Sequence, residues 1–163
     1  MGGFSIEFQG LQELEAKLQS MGTDQAARAV NRGLKAGAQV FQAAVEGAAP
    51  MRPDLPSGTA LPPGALKSDI VTHKAVVDGE LAQIIGPAKH TRHAAIWVEY
   101  GHRLVRGGYS RLMKNGKYRG PGKQIGTVPP HPFIRPAFEA SAREATETAI
   151  AAIEEEVARQ AKQ

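Results

Sequence analysis

From Ala137 to Gln160 the chain runs 24 residues without a glycine or a proline. A breaker-free stretch of that length with apolar residues on one side predicts a long helix. Phe138, Ala142, Ala145, Ala149, Ile153 and Val157 recur on that side, while the other is mostly Glu and Ala. Arg135-Pro136 opens the segment, and proline suits the first turn of a helix. A second amphipathic helix is predicted from about Asp24 to Gly47, with Val30, Leu34, Phe41 and Val45 on one face. Thr23-Asp24 is the expected cap at its start. Whatever the rest of the chain forms must pack on these two helices.

Between and before them the pattern changes. Phe4, Ile6 and Phe8 alternate with smaller or polar residues as in a half-buried strand, and Leu11, Leu14, Leu18 and Met21 mark a short helix. Prolines at 50, 53, 56, 62 and 63 make residues 49–64 an irregular loop. Ile70–Val77 and Glu80–Ile85 flank Asp78-Gly79, a strong signal for a tight hairpin, and Gly86-Pro87 is expected to end its second strand. Ala94 to Tyr100 fits either a helix or a strand. Gly33 and Gly37 leave two readings open: a smooth stripe for close backbone approach, or glycines tolerated at about 1 kcal/mol each. The expected architecture is a single α+β domain over residues 1–163, a small antiparallel sheet packed by two N-terminal helices and one long C-terminal helix.

Charge is segregated. Residues 1–48 carry a net −1, residues 49–135 a net +8 and residues 136–163 a net −3. Most of the central excess lies in a projecting loop or hairpin at 102–127. There Arg103, Arg106, Arg111, Lys114, Lys117, Arg119 and Lys123 stand with Tyr109, Tyr118 and five glycines, and no acid falls between His102 and Lys123. Such a block repels itself and is either solvated or docked on something anionic, whether nucleic-acid phosphates or an acidic protein surface.

Signals for catalysis are weak. With no cysteine there is no disulfide, thiolate ligand or thiol nucleophile. Gly116-Lys117 lacks the glycine and hydroxyl residue that a phosphate loop requires, and no G-x-S-x-G elbow occurs. His90, His93 and Glu99 make the one conceivable metal set, a thin basis for a hydrolase. No cofactor is expected. No apolar run approaches the ~18 residues of a membrane span, so neither a span nor a secretory leader is expected.

Two segments carry a family resemblance. Gly86-Pro87, Ala94 and Trp97-Val98-Glu99-Tyr100-Gly101 form one, and Pro132-Phe133-Ile134-Arg135-Pro136-Ala137-Phe138 the other. Together they resemble the neck or tail-completion proteins of long-tailed phages, and the opening Phe4–Gly10 strand and turn and the Ala49-Pro50 helix end fit as well. His102 stands where that family more often has Thr or Ser, and the 103–127 segment is longer and more basic than is usual there.

The resemblance implies a non-enzymatic virion subunit at the head–tail junction. It would join a ring, hexameric or twelvefold, around the DNA channel. Its partners would be copies of itself, adjacent neck or tail-tube proteins, and DNA through the basic loop. A tail terminator capping the tube is the neighbouring expectation, and a stand-alone, sequence-nonspecific DNA-binding module the expectation of another class. The residues also suggest a clamp at the loop's base. Trp97, Val98 and Tyr100 would pack there, Gly101 would reverse the chain, Phe133 would anchor the far stem before Pro136, and Glu99 would pair with Arg135.

Overall fold

A computed structural model describes residues 11–51, 61–106 and 122–162. The expected Phe4–Phe8 strand, most of the proline loop and the centre of the basic segment lie outside these residues. Helix α1 (Leu11–Ser20) precedes the 26-residue α2 (Thr23–Ala48), and a short α3 (Ala65–Ser68), not anticipated, leads into the strands β1 (Ile70–Val77) and β2 (Glu80–Pro87). Ala94 to Tyr100 resolves as helix α4 (Arg92–Tyr100). Strands β3 (His102–Arg106) and β4 (Lys123–Val128) follow, and α5 (Ile134–Gln160) closes the fold.

The protein is α+β, and among the described residues its strands form two antiparallel pairs, β1-β2 and β3-β4. The first hairpin is continuous from Ile70 opposite Pro87 to Val77 opposite Glu80, so Gly86-Pro87 ends the strand from within it. Asp78 and Gly79 have φ of 53° and 86°, the two positive values that a type I′ turn requires. Gln42 ties this hairpin to α2. Its amide donates to the Ile70 carbonyl at 3.0 Å, and its carbonyl accepts from the Thr72 hydroxyl at 2.8 Å.

Helices α2 and α5 pack antiparallel along most of their length. Ala29 meets Val157, Gly33 faces Ala149 and Ile153, and Gly37 faces Ala145. A Cβ on Gly33 would lie 2.7 Å from the Ala149 carbonyl oxygen, and one on Gly37 2.9 Å from that of Ala145. The two glycines are therefore a contact stripe that permits close backbone approach. Phe41 and Phe138 stack with centroids 4.5 Å apart farther along the same seam.

Two apolar clusters sit at the ends of this pair. Val45, Ala49, Ile70, Ala95, Phe133 and Ala137 join α2, β1, α4 and the start of α5. Leu14, Ala29 and Val157 join α1 to the far end. One expectation needs correction. The N-cap of α2 is Gly22, whose carbonyl accepts from Gln25 and Ala26, and Thr23 and Asp24 already belong to the first turn. In the acidic run near the end of α5, Glu154 and Glu155 are exposed. Glu156 is buried between Arg32 of α2 (3.2 Å) and Arg159 (2.6 Å), so it bridges the long helices.

Candidate interaction surface

Helix α5 begins on Phe133, which supplies no side-chain cap. Its first free backbone donors need an acceptor from elsewhere in the fold. That acceptor is the Glu99 carboxylate on α4. One oxygen accepts from the N–H groups of Phe133 (2.8 Å) and Ile134 (3.0 Å), and the other from Arg135 (3.2 Å). Pro136 has no N–H, so the accounting closes. Glu99 is 7% exposed. Burial pushes its carboxyl upward, but the hydrogen bonds from Ile134, Phe133 and Arg135, with the Arg135 charge, outweigh that and hold it below its ordinary value. The expected Glu99–Arg135 side-chain pair is thus replaced by a carboxylate that caps a helix through its backbone.

A second link lies beside the first, where the His131 N–H donates to the Val98 carbonyl at 2.7 Å. Gly101 follows with φ 71°, and a Cβ there would meet the Val128 carbonyl oxygen at 2.5 Å. These contacts staple both stems of the excursion from Gly101 to His131 onto α4 and α5. Phe133 anchors the far stem at 2% exposure. Arg135 and Pro136 are themselves exposed in the first turn of α5.

The aromatic residues of α4 do not join this packing. Helical periodicity turns Ala95 and Glu99 inward and Ile96, Trp97 and Tyr100 outward. Trp97 is 52% and Tyr100 65% exposed, which corrects their expected role as packing residues of the clamp. Trp97 lies against the His102 ring, with centroids 5.3 Å apart, and more loosely against His93 at 6.5 Å.

The β3-β4 hairpin continues the same character. Leu104, Val105 and Ile125 are exposed, and a register shift falls between Leu104 and Val105. Arg103 and Lys123 stand exposed on these strands. Arg106 ends β3, with its side chain outside the described residues, as are Arg111, Lys114, Lys117 and Arg119 entirely. Reading the sequence missed the exposed apolar set Ile96, Leu104, Val105 and Ile125. Its signal was the alternation of Ile125 with Gln124 and Gly126 in a strand too short to cover itself.

Beside the staple, a groove of about 580 Å³ is lined by Val71, Ile84, Ile96 and Tyr100, with Arg92 and Arg135. The possible metal set does not assemble. His90 contacts Asp69, His93 lies near Trp97, and Glu99 is committed to three amides. Among the described residues no three His, Asp or Glu side chains converge on a metal position, and no helix is long and apolar enough to cross a membrane. Comparison with protein families, with curated proteins and with solved structures gives no match.

Proposed function

We propose that the chain is a ring-forming structural subunit of the neck of a siphophage-like particle, a tail-completion component that joins the capsid connector to the tail around the DNA channel. The observation that carries this reading is the outward apolar surface of α4 and β3-β4, formed by Trp97, Tyr100, Leu104, Val105 and Ile125. A two-stranded hairpin is marginally stable alone in water, and among the described residues no further strand pairs with either of its edges. Clustered exposed apolar residues on such an element mark an interaction surface.

The occupant in this reading is a second copy of the chain. Closure of a ring by head-to-tail contacts needs two different complementary surfaces on one subunit. The hairpin with its exposed Arg103 and Lys123 supplies one, and the Glu-rich outer face of α5, where Glu139, Glu144 and Glu154 are exposed, supplies the other. The resemblance of the Gly86–Gly101 and Pro132–Phe138 segments supports the same assignment. Those two segments meet through Glu99 and the amides of Phe133 to Arg135.

Negative-stain imaging of the purified full chain mixed with isolated tail tubes tests the assignment. Rings seated at one tube end are expected, whereas unattached monomers in the presence of tubes would contradict it. A terminator makes its contact with the tube subunit, and a completion protein also binds the head-side adaptor. Adding that adaptor separates the two.

A further inference from the structure

We infer that the groove between α2 and the β1-β2 hairpin is a binding track for the phosphate backbone of duplex DNA, separate from the cationic 103–123 segment. The groove encloses about 550 Å³, and Arg28, Lys35 and Lys74 line it with the side-chain amides of Asn31, Gln39 and Gln83. Its remaining walls are Gln42 and Thr72, so no carboxylate and no apolar side chain lines it. Residues 28, 31, 35, 39 and 42 follow one another by three or four positions, which puts them on one face of α2. They span about 21 Å of helix, the axial rise of roughly six base pairs. Lys74 and Gln83 are cross-strand partners and form the opposite wall.

Part of the groove is fixed and part is available. Thr72 donates to Gln42, whose amide donates to Glu46 and to the Ile70 carbonyl, and Asn31 donates to the Ala27 carbonyl. The side chains of Arg28, Lys35, Gln39, Lys74 and Gln83 make no hydrogen bond or ion pair among the described residues. This contrasts with Arg32 on the adjacent face of α2, which is held by Glu155 and Glu156. Three cations and two amide donors on a scaffold braced by Gln42 and Thr72 can contact phosphate oxygens directly, without base readout.

The lining decides between DNA and an acidic protein. Protein interfaces are depleted in Lys at their core and enriched in aromatic and apolar anchors. Protein–DNA interfaces are polar and strongly positive, as this groove is. The inference stands on the groove's own chemistry and does not depend on ring formation.

The test is a fluorescence-anisotropy titration of the full chain against a labelled mixed-sequence duplex between about 50 and 200 mM salt. The variants are R28A/K35A/K74A, the single variants K35Q and K74Q, and R103A/R106A/R111A/K117A. The groove triple variant should lose at least ~10-fold in low-salt affinity, and its salt slope should fall by about 2.7, three phosphate contacts at 0.9 each. K35Q and K74Q should each lower the slope by about 0.9. Unchanged circular dichroism and melting temperature confirm that the variants are folded, and the single variants carry the test if the triple one is not. Three results would overturn the inference. They are no duplex binding by the wild type at low salt, binding lost only in the 103–117 variant, or groove-dependent binding of a poly-glutamate peptide without duplex binding.

Discussion

Replacing Glu99 with Ala should destabilise the protein by about 3 kcal/mol or more, and for a chain of this length lower its melting temperature by roughly 6–12 °C. One carboxylate satisfies three amides at the start of α5, and among the described residues no other side chain there supplies an acceptor. Removing it strands those donors beside the buried Phe133 and also unlinks α4 from α5. Glu99→Gln should fall between the wild type and Glu99→Ala. The amide keeps one oxygen to accept hydrogen bonds but turns an N–H₂ toward a backbone donor. Thermal melts of the three proteins measure this, and a Glu99→Ala melt within 2 °C or so of the wild type would refute the capping role.

The same contact sets a pH dependence. The folded-state carboxyl lies below its ordinary value of 4.5, so its ionisation favours folding. That contribution is complete above about pH 5 and is lost as the pH falls through the folded value. The stability gap between the wild type and Glu99→Ala should therefore be constant from neutral pH to about pH 5 and narrow below it.

Gly33→Ala and Gly37→Ala should each destabilise by about 1–3 kcal/mol, the opposite sign from the same change in an exposed helix, where Ala gains about 1 kcal/mol. Ile153 is a flexible neighbour of Gly33 and can yield, but the carbonyl oxygens of Ala149 and Ala145 belong to the α5 backbone. Accommodating a methyl group there pushes the two long helices apart and loosens contacts along the whole seam, including the Phe41–Phe138 stack. Urea unfolding midpoints decide the sign. An alanine variant more stable than the wild type would return these positions to tolerated glycines.

The two long helices, the Asp78-Gly79 hairpin and the buried Phe133 were legible because each follows from a local rule. These rules are apolar spacing at 3.6 residues, a turn that needs two positive φ values, and an aromatic residue just ahead of a helix. Glu99 was visible as important but not in its role. A carboxylate that accepts from three amides 34 to 36 positions away leaves no local pattern. The clue was negative: the Pro132–Pro136 approach to α5 offers no Ser, Thr, Asp or Asn as a cap. Trp97 and Tyr100 were misjudged because a strand and a helix place residues 94–100 on different faces, and periodicity over seven residues did not choose. The division into two hairpins depends on where β3 and β4 pair, which is a tertiary fact. The α2 groove escaped notice because Lys74 joins Arg28 and Lys35 only through folding.

Sedimentation velocity of the full chain over a range of concentrations tests most directly whether the surface of α4 and β3-β4 is covered by another copy. The expected result is one discrete closed species several times the 17.3 kDa chain mass. Val105→Asp with Ile125→Asp should convert it to monomer while the fold is retained, because both side chains are exposed. A wild type that sediments as a monomer at every concentration, or an assembly indifferent to both aspartates, would contradict the account.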